Sequence, residues 1–443
     1  MMREYMKMKE LYSDCILMYR VGDFYEMFFE DAKTVSAAID ITLTGKECGL
    51  EERAPMCGVP FHALDVYISK LIDKGFKVAI CDQVEDPKQA KGLVKREVTR
   101  VVTPGTNLDM EELDETRHNY LMSIVAMTDK AGVACADVTT GDFLVTEVEN
   151  AAKLLDEINR FAPAEIICNN AFFMMGLDLY DLRDRRHIMI NALSDSYFSD
   201  EAAVTTLKDH FHVMSLDGIG LGHFQSGINA AGALLSYLLE TQMTDLKHMN
   251  SIKPYRTDEF MLLDTTTVRN LELIETLREK QKKGTLLWVL DKTKTAMGAR
   301  LLRTWIEQPL LEKSAINERL DGVEALYNDE ITCAELREYL SPIYDLERLV
   351  TRNSYQAANP RDMIALKNSL EMIPAIRQQL SCMEAKKLKS LCEDMDDLQD
   401  LYELLENAIM PDPPMAMKEG GIIRDGFNED VDSYRKAGTD GKL

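Results

Sequence analysis

The stretch GDFYEMFFEDA (22–32) sets an aromatic ring, Phe24, two residues ahead of a carboxylate, Glu26. In an extended segment both side chains point to one side and Tyr25 to the other. On a helix, residues two apart diverge by about 200°. The extended reading presents one ring beside one carboxylate. Such a pair suits a wedge and a reader on duplex DNA. A ring can enter between base steps from the minor groove, and a neighbouring carboxyl can hydrogen-bond an exposed base edge. Phosphates repel a carboxylate, so the pair fits a selective, weak contact better than a tight one. The plainer reading is a core phenylalanine and a solvated glutamate. Isolated aromatics are mostly packing, and on these residues alone that reading leads.

Other residues with chemical potential are fewer. Residues 88–100 (KQAKGLVKREVTR) hold five basic side chains and one acidic, a local charge of +4. Asp137 and Asp142 flank a Thr-Gly turn. A two-metal nuclease needs three or four carboxylates, whereas aspartates beside such a turn are usually turn formers. His210 and His212 have the spacing of a strand-borne metal pair but no evident third ligand. GTDGKL (438–443) echoes a phosphate-binding loop, but Lys436 stands where the first glycine belongs and Leu443 where Ser/Thr would hold magnesium.

These residues need elements to position them. CILMYRV (15–21) reads as a buried strand punctuated by Gly22-Asp23. A helix follows with Phe28, Ala32, Val35 and Ile39 in register, and a second starts near His62 and ends at Gly75. His62 reads as a structural residue of that helix start. FKVAICD (76–82) and REVTRVV (96–102) read as strands, and Pro104-Gly105 closes the unit. Residues 106–118, with EELDE at 111–115, read as a linker. LMSIVAM, VACADVT and DFLVTEV form a meander turning at Asp129–Gly132 and Thr140-Gly141. Helix 151–162, strand 164–169 and helix 228–242 make the second unit α/β. From about 260 strand signals stop. VRNLELIETLREKQKK, LLWVLDKT, GARLLRTWIEQ, AINERLDGVEALYND and CAELREYLSPIYDLERLV all carry helical spacing. MPDPPMAMKEGG (410–421) interrupts, and a last helix begins near 428.

With 443 residues the chain has room for about three domains. A hydrophobic fraction of 46% excludes wholesale disorder. Nine cysteines without a CxxC argue against a disulfide framework or a zinc ribbon. No apolar run of 18 residues and no leader appear, so membrane and secreted readings fall away. The net charge of −24 looks wrong for a DNA binder. It is unevenly spread, however: residues 1–105 carry only −2, and local distribution governs binding more than the total.

Taken in order, MYRVGDFYEMFFEDA, DITLTGK (40–46), APMCGVPFHALDVYISKL (54–71), VAICDQVEDP (78–87) and VVTPGT (101–106) resemble the mismatch-recognition domain of the MutS family of bacterial DNA mismatch repair proteins. CADVTTGDF (135–143) resembles the start of the family's connector domain. LDTTTVRNLEL (263–273), LDKTKTAMGARLLRTWI (290–306) and NPRDM (359–363) resemble its core and lever. The resemblance covers essentially the whole chain.

It implies α/β plus all-α architecture: a mixed α/β mismatch-recognition domain at 1–107, a ribonuclease-H-like α/β connector at 119–245, and a partial helical core and lever at 258–443. Phe24 matches the residue that stacks on the mispaired base and Glu26 the one that hydrogen-bonds it. Lys46 stands where some members have an arginine near the DNA backbone, and Arg96 matches a DNA-contacting arginine. Lys95 and Arg100 are taken as phosphate neighbours. The partner implied is mismatched double-stranded DNA. A MutL-type repair protein and a second copy belong to the full-length family, with a bacterial cytoplasmic, nucleoid-associated location and no membrane. The family's ATPase, with ATP and magnesium, requires a GxxxxGK[ST] loop that these residues do not contain, so no cofactor and no enzymatic activity are expected, and the chain reads as a fragment. The rivals are a metal-dependent nuclease in the middle domain and a protein-interaction scaffold.

Overall fold

Strand β1 (Cys15–Val21) and strand β2 (Phe24–Phe28) are joined by Gly22-Asp23 alone, and Gly22 takes φ +59°, open to glycine without strain. The computed structural model describes residues 1–48, 53–85, 94–108, 113–128, 130–415 and 417–440. Lys88 and Lys91 of the basic strip, residues 111–112 of the acidic linker, Asp129 and the last three residues of GTDGKL lie outside the described residues. By its contacts the chain divides into two units, Met1–Asp114 with His118–Thr257, and Asp258–Leu443 with Glu115–Arg117.

The first unit contains two six-stranded mixed sheets. Helix α1 (Met2–Leu11) precedes β1; β2 runs into α2 (Phe29–Ile39). Strands β3 (Thr44–Lys46), β4 (Ala54–Pro60), β5 (Lys77–Gln83) and β6 (Arg96–Val102), with α3 (Leu64–Ile72), complete the first layer, in the order β3-β4-β2-β1-β5-β6. Alternation sorts its side chains. Ile16, Met18, Tyr25, Met27, Val78 and Ile80 pack beneath α2 and α3, while Leu17, Tyr19, Phe28, Cys81 and Val101 face α1 through Tyr5 and Met8. The register of β5 and β6 shifts between Ile80 and Cys81, with Thr99 as the extra residue.

In the second sheet β7 (Leu121–Ala126), β8 (Ala131–Asp137) and β9 (Asp142–Val148) form the expected antiparallel meander. After α4 (Ala151–Phe161), β10 (Glu165–Cys168) runs parallel to β7, and β11 (Met189–Ala192) parallel to β10. Helices α5 (Asp200–Phe211) and α6 (Ser226–Gln242) precede the short β12 (Lys253–Pro254) on β9. Helix α6 passes so close to β8 that a Cβ on Gly132 would lie 1.9 Å from the Ser226 carbonyl oxygen.

A buried polar knot fastens the two sheets. Glu165, fully buried, accepts from the hydroxyls of Thr103 and Tyr237 (2.8 Å), Asn191 Nδ2 (2.7 Å) and Gly105 N (3.2 Å). Four donors replace the water lost on burial, which an unpaired carboxylate could not forgo. Gly105 is needed here because a Cβ would fall 2.9 Å from that of Leu121. The PGT of VTPGT therefore serves the join between sheets.

The second unit is helical: α7 (Thr265–Asn270), α8 (Leu286–Leu290), α9 (Ala296–Glu307), α10 (Lys313–Asn328), α11 (Glu330–Leu340), α12 (Leu346–Ser354), α13 (Pro360–Ser381), α14 (Lys386–Asp394), α15 (Gln399–Ala408) and α16 (Glu429–Asp440). Two expectations need correction. The helix expected over 268–283 ends at Asn270. Glu272 turns left-handed (φ +47°), and Glu272 O and Leu273 O accept from the N–H groups of Leu286 and Leu287. The helical spacing through 333–350 splits into α11 and α12 around Pro342, which has no N–H to continue the ladder. Arg300, buried, ties α9 to the start of α12. Its guanidinium makes a two-point bond to Asp345 (2.7 and 2.8 Å) and reaches Glu347 (2.5 Å) and the Glu115 carbonyl (2.9 Å).

Candidate nucleic-acid interface

Phe24 opens β2, opposite Val21 on one side and Pro60 on the other. The residue is 49% exposed, an unusual position for a large aromatic within a sheet. The hairpin that carries it is braced twice. Asp23 O accepts from Phe61 N (3.0 Å), and Gly22 O accepts from Arg20 Nε (2.5 Å). The Arg20 guanidinium then lies over the Phe61 ring at 4.1 Å and the Tyr25 ring at 5.2 Å, a cation–π stack on the reverse face. Arg20 and Phe61 were not legible as part of this site, because their contact depends on the β2–β4 pairing.

Glu26 follows on the same face as Phe24, as the extended reading requires, between Tyr19 and Gly58. Gly58 leaves its flank open, where a Cβ would stand 3.7 Å from Glu26 Cγ. The Glu26 side chain is 13% exposed, and Lys46 Nζ forms a close ion pair with its Oε2. Lys46 ends the edge strand β3, opposite Ala54, with its ammonium 5.6 Å from the Phe28 ring centre. Phe24, Glu26 and Lys46 thus meet on one face.

The three cations of the basic strip that lie among the described residues, Lys95, Arg96 and Arg100, do not stay together. Arg96 shares the face of Tyr19, over whose ring it lies at 5.2 Å, and donates from Nε to Arg20 O (2.7 Å) and from Nη1 to Val94 O (2.9 Å). Burial pushes the Tyr19 hydroxyl up to about 12 against the pull of Arg96. Lys95 is paired with Glu97 at 2.6 Å, and that hydrogen bond and charge hold its ammonium above the usual range. Glu97 lies opposite Asp82, which accepts from Tyr25 OH on the α2–α3 face. Beyond the Thr99 bulge, Arg100 lies opposite Ile80, whose side chain also packs on that face. One extra residue flips every later side chain. Lys95 and Arg100 therefore sit away from the Phe24 face.

The rival sites take structural places. Asp137 is fully buried, and its oxygens accept from His118 Nδ1 (2.9 Å), Asn119 N (3.2 Å), and Thr139 N (2.9 Å) and Oγ1 (2.7 Å). Asp142 accepts from Tyr120 OH (2.9 Å) and lies 3.5 Å from Lys253 Nζ. No oxygen of Asp137 is left facing a metal or substrate. His210 lies in α5 and donates from Nε2 to the Met249 carbonyl at 2.8 Å, while His212 is the left-handed cap of that helix. Neither lies on a strand, as a metal pair at that spacing would require. His62 lies in the single 3-10 turn, Phe61–Ala63, that leads into α3.

Among the described residues, no helix is long and apolar enough to cross a membrane. Family models match nearly the whole length: MutS domain I over residues 1–111, MutS domain II over 119–250 and MutS domain III over 266–437. Three similar relatives are each called DNA mismatch repair protein MutS. The one from Lachnoclostridium phytofermentans is 57% identical over all of this chain and 48% of its own length. Those from Acetivibrio thermocellus and Ruminiclostridium cellulolyticum are 49% and 48% identical, again over all of this chain and 51% of their own lengths. The chain spans about half the length of the curated relatives it matches.

Proposed function

The chain carries MutS domains I, II and III and so belongs to the MutS family, and from that premise we propose that it recognises mispaired bases in kinked duplex DNA. Phe24 is the wedge that stacks on the mispaired base, and Glu26 hydrogen-bonds the exposed edge of that base. The observation that carries this reading is the half-exposed Phe24 on a braced hairpin, two residues from a carboxylate on the same open face. A mispair has lost stacking and hydrogen bonds, so kinking it costs less than kinking a matched step, for which the cost is several kcal/mol. A protein that binds only the kinked form reads that difference.

Competition binding between mismatched and matched duplexes tests the reading. Phe24→Ala is expected to abolish the preference while circular dichroism shows the fold intact. A variant that still discriminates would sink the wedge. The proposal extends to a MutL-type repair partner, to pairing of two copies and to a bacterial, nucleoid-associated setting, as the family implies. It assigns no nucleotide turnover to these 443 residues, which contain no GxxxxGK[ST] run. Isothermal titration with ATP and magnesium, with a phosphate-release assay, is expected to register neither saturable binding nor turnover.

A further inference from the structure

We propose that Lys46 is a specificity-determining residue that exchanges partners on recognition: it holds the Glu26 carboxylate until a mispaired base edge takes its place, and only then reaches a phosphate. The inference rests on the wedge-and-reader assignment above.

Among the described residues Lys46 is the one side chain that donates to Glu26. The two side chains are 29% and 13% exposed, so water screens the pair less than it would a surface pair. Paired, the site presents no net charge to an approaching backbone, which removes the repulsion that a bare carboxylate would suffer. Glu26 cannot serve a base edge fully while Lys46 occupies Oε2. A base N–H must displace the ammonium, and the displaced ammonium needs a new anion, which the adjacent phosphates supply. Lys46 suits the exchange. Its ammonium is a compact charge on a flexible four-carbon stem, and it stands on a three-residue edge strand paired to β4 alone. No backbone movement is required. Matched DNA offers no displacing donor, so there Lys46 stays on Glu26 and makes no phosphate contact.

The consequence is a difference in counterion release. Each phosphate neutralised contributes about 0.9 to the slope of log K against log salt. In the 443-residue chain the slope is expected to be steeper on a mismatched than on a matched duplex by about 0.9. Lys46→Met should abolish that difference by lowering the mismatched slope alone. Lys46→Arg should keep it. Glu26→Gln, which frees Lys46 from the outset, should also abolish it, but by raising the matched slope. Equal slopes in the unmodified chain, or equal loss on both duplexes in Lys46→Met, would overturn the exchange and leave Lys46 as a constant phosphate contact. Failure of the parent reading looks different: the unmodified chain would then show no mismatch preference, or Phe24→Ala would retain it.

Discussion

Arg96 combines two tasks that are separable by measurement. Its Nε and Nη1 groups donate to the carbonyls of Arg20 and Val94, which fastens the start of β6 to the end of β1, the strand that enters the Phe24 hairpin. The rest of the guanidinium lies on the Tyr19 face, the same face as Glu26. A phosphate contact from such a position adds affinity without reading sequence. Arg96→Ala is therefore expected to weaken matched and mismatched binding about equally and to lower both salt slopes by about 0.9. Loss confined to the mismatched duplex would show that Arg96 acts through the hairpin rather than through the backbone of DNA. The same-side placement of Phe24 and Glu26 was legible in the sequence, because the two-residue period of a strand fixes it. The Lys46–Glu26 pair was not, since it joins residues 20 apart through a strand order that no local pattern encodes. Nor was the separation of Arg100 from Arg96, which follows from a single bulged residue, Thr99.

At the scale of elements, the end of β8 shows how a carboxylate that resembles a catalytic group holds a fold together. Burial alone would raise the Asp137 carboxyl. The hydrogen bond and charge of His118, and the bonds from Thr139, outweigh burial and hold it below the ordinary value of 3.8. A folded value below the unfolded one means that the stabilisation is complete above about pH 4 and is lost as pH falls through the folded value. Asp137→Asn is expected to cost about 2 kcal/mol at neutral pH and to flatten the acid limb of stability, as read by thermal melts from pH 7 to pH 3. Unchanged melting would free Asp137 for another role. Most elements of the first unit were legible, because β1, β5 and the meander β7–β9 are short apolar runs bounded by glycine turns. The helix expected over 268–283 failed for a tertiary reason. Its apolar spacing was sound, but the N–H groups of Leu286 and Leu287 bond back to Glu272 and Leu273, and a left-handed Glu272 breaks the ladder. Helix α1 had no strong signal of its own, and it is held by Tyr5 against Tyr19 and Phe28 and by Lys9 to Asp31 at 2.9 Å.

Across the whole molecule the charge of −24 opposes an encounter with DNA. Of the cations assigned to the interface, Lys46, paired with Glu26, and Arg96, with two of its donors already engaged, lie on the Phe24 face. Lys95 is paired with Glu97, and Arg100 lies on the opposite face. With Lys88 and Lys91 of the strip, the phosphate contacts proposed for this domain number four. The slope of log K against log salt on a mismatched duplex is then expected to be no steeper than about −4. With so few ionic contacts, the proposed reading draws its selectivity from the kink and the wedge rather than from backbone affinity. Binding should accordingly be measurable at low salt, weak near physiological salt, and far from nanomolar in either case. Fluorescence anisotropy of a labelled mismatched duplex between 25 and 200 mM salt, concentrations on the order of those over which counterion release is read, measures both quantities. A slope well beyond −4 would show that cations other than these four also reach phosphates.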